Sequence, residues 1–390
     1  MPAKKTAKSS SSSSLSLSLS SSSEPIGDNL SIKNLKKYFR YTHYKKLLIN
    51  PKSDIKDYCM YLIDGMKKVG NFSIEKEYSN KINGVFLLKN KINNDELILK
   101  IIYTDVREIE LYIYTKLLEI FNTENKIYHF PIIYLITECI LNENPNTYDY
   151  FRYFKQLKND QEQKRLKRGG TLHKRRITEV EVVKEITEID EYEEYINKIK
   201  SENINKYSLI FTKLAINDFT KFIFNLYNGT DPNIDIDDVQ NSILQIMMSI
   251  FYYHTKLNCL HNDTNLGNFI YYKLPENANE ISYNIGTYVY TYMNKNKYLW
   301  SIWDFETSLI ILPAFKLSYI NDYYIFVDNL ASTIEYCETQ KLTIDDEIKT
   351  FFEEFIEYMR EIKENKRIIE DEEVFIKHVL GFFAQKEIIA

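Results

Sequence analysis

Apolar residues change their spacing several times along this chain, and the changes outline its elements. In Gly84-Val85-Phe86-Leu87-Leu88-Lys89 and Glu96-Leu97-Ile98-Leu99-Lys100-Ile101-Ile102, runs of β-forming residues flank a polar turn over 90–95, which predicts two strands. Over 105–121 the period lengthens, with Val106, Ile109, Ile113, Leu117 and Ile120 recurring as one face of a helix. Further strands are predicted over 131–136 and 208–212, and a helix over 218–226. An amphipathic helix is expected over 239–254, with Ile243, Met247, Ile250 and Phe251 on one face, and the last fifty residues again carry helical spacing. A small β-rich part followed by a larger α-rich part is an α+β layout.

Two segments interrupt this pattern. Residues 9–23 contain serine and leucine alone, too little apolar surface to offset the entropy of ordering, so 1–26 is expected to be a disordered tail. Lys4, Lys5 and Lys8 precede it, but no continuous apolar core or Arg-rich amphipathic helix follows, which argues against a secretory or organellar signal. The second segment, about 142–207, has a basic half (Lys164 to Arg176) and an acidic half (Glu179 to Glu194). It reads as a solvated insertion whose halves pair loosely; a docking patch is the other reading of the basic block. The expected division is therefore 1–26 tail, 27–217 β-rich part carrying the insertion, and 218–390 helical part.

Charge and composition narrow the class. Fifty basic against 55 acidic residues give a net charge of −5, without the basic excess that general nucleic-acid binding needs. Apolar stretches are too short and too interrupted to span a membrane. The four cysteines, Cys59, Cys139, Cys259 and Cys337, are scattered without a C-x-x-C, as expected of buried thiols in a reducing compartment. Abundant Ile, Asn, Lys and Tyr indicate A/T-rich codons.

The sharpest chemical signal is Leu260-His261-Asn262-Asp263-Thr264-Asn265-Leu266-Gly267-Asn268-Phe269, an H-x-D-x-x-x-x-N pattern. Trp303-Asp304-Phe305-Glu306 follows, with Asp304 36 residues after Asn268 (304 − 268 = 36). Tyr253 to His261 reads as the end of a helix feeding that loop. These residues resemble the catalytic loop and the metal-binding D-F-G triplet of the protein-kinase-like superfamily. With the A/T-biased composition and the long segment before Asp304, the chain looks similar to kinase-like proteins of giant DNA viruses.

The resemblance implies a bilobal fold, a small antiparallel β-sheet lobe plus a larger helical lobe, with ATP and Mg²⁺ as cofactors. Asp263 would orient the acceptor hydroxyl, while Asn268 and Asp304 would hold the metal. Lys100 and Glu110 would form the ion pair that faces the phosphates. Alternation puts Lys100 with Ile98 and Ile102, and an inward lysine in apolar company needs a partner. Glu110 has apolar neighbours at Val106, Ile113, Tyr114 and Leu117, as an inward glutamate requires. Gly84 would lie in the phosphate-covering loop, and the backbone of Lys213, Leu214 and Ala215 would contact adenine.

Departures from the protein-kinase pattern matter as much. Between Phe72 and Asn90 Gly84 is the one glycine, where kinases have G-x-G-x-x-G. Asn265 stands in place of lysine, and Leu266-Gly267-Asn268 is similar to aminoglycoside phosphotransferases; the D-F-E triplet is similar to choline and ethanolamine kinases. No A-P-E follows, and the next helix is expected by Asp322. The reading is an ATP- and Mg²⁺-dependent phosphotransferase acting on a hydroxyl, with a protein Ser/Thr ahead of a small molecule as acceptor. The rivals are a catalytically inactive kinase-fold scaffold and a small-molecule kinase. A cytoplasmic site, or a viral particle, is the expected location.

Overall fold

In the computed structural model, the residues described are 31–48, 68–69, 72–78, 84–90, 94–103, 108–124, 129–140, 206–230, 234–275, 278, 280–294, 297–311 and 319–386. The serine-rich tail, most of the charged insertion and Cys59 lie outside them. The first elements are a helical pair, α1 (Ile32–Tyr38) and α2 (Tyr41–Leu48). Ser31 caps α1 by accepting the Asn34 amide, and Arg40, with φ 49°, turns the chain between the two. Neither helix was expected from the spacing.

Next come β1 (Lys68–Val69), β2 (Phe72–Glu77), β3 (Val85–Asn90), β4 (Glu96–Tyr103), α3 (Glu108–Thr123), β5 (Ile133–Ile140) and β6 (Lys206–Lys213). The strands form one antiparallel sheet in the order β1-β2-β3-β4-β6-β5. Strand alternation divides β4 between two cores. Leu97, Leu99 and Ile101 join Phe86, Leu88, Leu209 and Phe211 in a cluster closed by Leu35, Phe39, Tyr41, Tyr44 and Leu48 of the helical pair. The opposite face, carrying Ile102 and Ile210, packs on Ile113, Tyr114 and Leu117 of α3. A buried carboxylate ties the helical pair to the sheet: Asp95 accepts from Tyr44 Oη (2.9 Å) and Arg40 Nη1 (3.1 Å) and meets His43 Nε2 at 3.2 Å. Phe39 also reaches past the sheet to Tyr272, ring on ring edge at 5.6 Å.

The second half begins with β7 (Asn217–Asp218) and α4 (Phe219–Tyr227), where Asp218 caps the helix by accepting the Lys221 amide at 2.8 Å. The helix α5 (Ile236–Leu257) opens on an Asp235–Asp238 capping box and is buried on nearly every face, a core helix rather than an amphipathic one. Its end is set by Asn258, left-handed at φ 54°. Then follow β8 (Cys259–Leu260), a 3₁₀ turn (Leu266–Asn268), β9 (Phe269–Lys273), β10 (Glu280–Ile285), β11 (Tyr288–Met293), β12 (Tyr298–Ile302) and β13 (Leu309–Ile310). The chain closes with α6 (Tyr319–Thr339), α7 (Asp346–Glu364), α8 (Lys366–Ile369) and α9 (Glu372–Gln385).

These strands make a β12-β9-β7 sheet, a β13-β8 pair and a β10-β11 hairpin. The hairpin turns at Gly286, whose φ of +57° suits a tight two-residue loop. Among the described residues the long stretch between Asn268 and Asp304 thus carries four strands, β9 to β12, which its sequence spacing does not separate. Cys259 and Cys337 are buried free thiols. Among the described residues no helix is long and apolar enough to cross a membrane.

Candidate active site

Lys100 sits mid-strand on β4, opposite Val85 of β3 and Ile210 of β6, so its side chain leaves the sheet on the α3 side. There its Nζ lies 2.5 Å from Glu110 Oε1 and 2.8 Å from Asp304 Oδ1. The Lys100 and Glu110 side chains are 3% and 0% exposed, while Asp304 retains 32%. Glu110 reaches this point because it shares an α3 face with Ile113, Tyr114 and Leu117, all buried. The rings of Trp303 and Tyr114 approach the ammonium at 5.5 and 5.7 Å. Burial pushes the Lys100 pKa down, but Tyr114, Glu110 and Asp304 around it outweigh that and hold it well above the ordinary lysine value. The lysine is a permanent cation.

The loop after α5 is built from backbone constraints. Asn262 and Asp304 both have left-handed backbone, φ 59° and 62°, a conformation few residues other than glycine adopt and one concentrated at functional turns. Between β8 and the 3₁₀ turn, Asp263 is half-buried, and each of its carboxylate oxygens accepts an amide. Asn265 donates to Oδ1, and Asn268 Nδ2 donates to Oδ2 at 3.0 Å and to the Asp263 carbonyl at 2.6 Å. The Trp303 amide donates to the Asn268 carbonyl at 2.7 Å, which brings the segment carrying Asp304 against the loop carrying Asn268. Phe305 is fully buried, stacked on Tyr253 of α5 at 5.5 Å and edge-on to Tyr114 of α3 at 5.0 Å. It locks the turn that presents Asp304.

His261 is a positioning residue rather than a reactive one. Its Nε2 donates to the Trp303 carbonyl at 2.9 Å, and burial lowers its pKa, so it is a neutral imidazole joining the two segments. Asp322, on α6, accepts the backbone amides of His261 (2.6 Å) and Asn262 (2.8 Å) and a ring N–H of His254 (2.8 Å). Burial would raise the Asp322 carboxyl, yet His254 and the His261 amide hold it below the usual carboxylate value. In the sequence Asp322 marks only where the next helix is expected, and its role as an acceptor for the loop was not legible there. The available signal was one carboxylate among Tyr319, Tyr323, Tyr324, Phe326 and Val327 on a face that is otherwise wholly apolar.

The remaining expected residues are placed by backbone contacts. The Gly84 carbonyl accepts the Ile101 amide at 2.9 Å, next to Lys100. A Cβ on Gly84 would meet the Phe86 ring at 2.1 Å, so a larger residue there would have to displace that ring. Lys213, Leu214 and Ala215 carry the chain from β6 to β7, and the Ile216 amide then joins the Tyr271 carbonyl of β9 at 2.8 Å. Of the two expected metal ligands, Asn268 commits its amide nitrogen to Asp263, leaving the side-chain oxygen as its donor, and Asp304 keeps a partly exposed carboxylate, both oxygen donors of the kind a hard cation takes. Among the described residues no group of three or more His, Cys, Asp or Glu side chains could hold a metal alone.

Compared with known proteins, the chain matches no family model and no curated protein. Among solved structures it is similar to the crystal structure of a BubR1 kinase domain, at 12% identity and a TM-score of 0.34. The likeness covers 72% of this chain and 60% of that one. The chain is a mixed helix-and-sheet protein whose antiparallel sheet and helix α3 bring Lys100 and Glu110 together with Asp304.

Proposed function

We propose that this chain is a phosphotransferase of bilobal, protein-kinase-like fold, using ATP and Mg²⁺ to phosphorylate a hydroxyl on protein serine or threonine. In this reading the described residues within 27–217 belong to the smaller lobe and those within 218–390 to the larger. The observation that carries this reading is the buried Glu110–Lys100–Asp304 cluster, which joins residues ten and 204 positions apart in sequence (110 − 100 = 10) at 2.5 and 2.8 Å. A structural ion pair does not need a third, partly exposed carboxylate; a site that must neutralise phosphates and hold a cation does.

Bound magnesium-nucleotide supplies the phosphoryl group and charge neutralisation. Asn268 and Asp304 would hold the metal through oxygen. Lys100, fixed by Glu110, offers its ammonium to the phosphates, and the Lys213–Ala215 backbone is available to adenine. Asp263, with both oxygens oriented by amides, accepts the hydrogen of the incoming hydroxyl and fixes its line of approach. Phosphoryl transfer asks little more than this positioning and electrostatics.

A thermal-shift titration tests the proposal. ATP with Mg²⁺ at a hundredfold excess over Kd should stabilise the protein by about 2.7 kcal/mol, and Asp304→Ala should lose that gain. Asp263→Asn should fold normally and transfer no phosphate. One observation favours a second reading, a nucleotide-free scaffold: the one glycine of the expected phosphate loop is consumed by the Phe86 ring. No shift at millimolar ATP would select the scaffold.

A further inference from the structure

A second buried charge cluster lies beneath the catalytic loop, and phosphoryl transfer has no direct use for it. His254, in the last turn of α5, places Nε2 2.8 Å from Asp322 Oδ2 and Nδ1 2.5 Å from Glu372 Oε1. Both partners are carboxylates, so both ring nitrogens donate and the ring is an imidazolium. Burial opposes that charge, but Glu372 and Asp322 raise the His254 pKa to about 10. Glu372 is the first residue of α9, 118 positions further along the chain. It also accepts the Tyr323 hydroxyl of α6 at 2.8 Å. The charged groups on His254 are therefore Asp322 from α6 and Glu372 from α9, with the Tyr319 and Tyr323 rings edge-on.

The cluster continues directly into the loop. Asp322 uses Oδ2 for His254 and the His261 amide and Oδ1 for the Asn262 amide, and its carbonyl accepts the Thr264 hydroxyl. Asn262 is the left-handed residue immediately before Asp263. If Glu372 is neutralised, His254 loses its countercharge and one fixed acceptor. Asp322 is then held by a ring that can rotate or deprotonate, and the turn loses its rigid base.

We propose that Glu372 is a positioning residue for the catalytic loop, acting through His254 and Asp322 on the backbone of His261 and Asn262, so that helix α9 is part of the machinery that aims Asp263. The effect on turnover rests on the phosphotransferase reading; the effect on the loop rests on geometry alone.

The test is hydrogen–deuterium exchange of the full chain as wild type, Glu372→Gln and, as a neighbouring control, Glu373→Gln, paired with transfer kinetics. In Glu372→Gln, peptides covering 259–264 should exchange at least about tenfold faster, with peptides of β4, β6 and α7 unchanged. Turnover should fall roughly 10- to 100-fold at unchanged KM for ATP, the signature of a misplaced group rather than lost binding. Glu373→Gln should match wild type in both. Unchanged loop exchange, or acceleration spread evenly over the chain, overturns the proposal. If wild type transfers no phosphate, the phosphotransferase reading falls and exchange alone decides the role of Glu372. Should Glu372→Gln fail to fold, Tyr323→Phe, which removes only the hydroxyl on Glu372, must give the same local acceleration in weaker form, and its absence there overturns the proposal equally.

Discussion

Lys100 illustrates how much a single buried cation asks of its surroundings. With its side chain 3% exposed and Glu110 at 0%, neither charge of the pair is satisfied by water, and each depends on the other. Removing Lys100 leaves the Glu110 carboxylate buried without its cation, whereas removing both leaves a packing problem and the partly exposed Asp304. Lys100→Met should therefore destabilise the fold by about 3–5 kcal/mol, and Lys100→Met with Glu110→Leu should recover most of that loss. Urea unfolding of both variants checks this; a double variant no more stable than the single one would mean that Glu110 is held by something other than Lys100. At this scale the sequence was informative where one residue type had one plausible neighbour. The inward lysine, the glutamate within an apolar helix stripe, and the spaced Asp263, Asn268 and Asp304 could all be picked out. Asp322, His254 and Glu372 could not, since their meaning comes from three helices meeting, and no spacing along the chain encodes that.

Elements show the same division. Strands β3, β4 and β6 were legible because alternation is a local property, and α5 because apolar residues recur at helical spacing over many turns. The helical pair α1–α2 was illegible: each is at most eight residues long, too short to fold unaided, and each exists because the outer sheet face needs a cover. Asp95 fastens that cover through Tyr44, Arg40 and His43. Asp95→Ala strands the buried Tyr44 hydroxyl and releases both basic side chains, a loss of about 2–3 kcal/mol. Denaturant titration should show a lower midpoint at unchanged slope. A change below about 0.5 kcal/mol would show that apolar packing alone seats the pair.

For the whole molecule, the decisive quantity is how far apart in sequence the site's members lie. Glu110 finds Lys100 almost locally, but Asp304 joins from 204 residues away. Long closures are costly until the contacts they enable are made, so this one should form late. In a Trp300→Phe background, which leaves Trp303 beside Lys100 as the single tryptophan, refolding should recover far-UV circular dichroism before Trp303 emission. Coincident traces would mean that the site closes together with the secondary structure.

The same distance has a consequence during synthesis. Ribosomes add roughly 5–20 residues per second, so a chain that has already made Lys100 waits on the order of 10–40 s for Asp304 to follow, 204 residues later. Throughout that interval the growing sheet holds a lysine and a glutamate whose third partner does not yet exist, and whose covering aromatic, Trp303, is also still to come. Slowing translation between Glu110 and Asp304 should therefore lengthen the exposure of that unfinished site, which pulse-proteolysis of stalled nascent chains would read as cleavage in the N-terminal half.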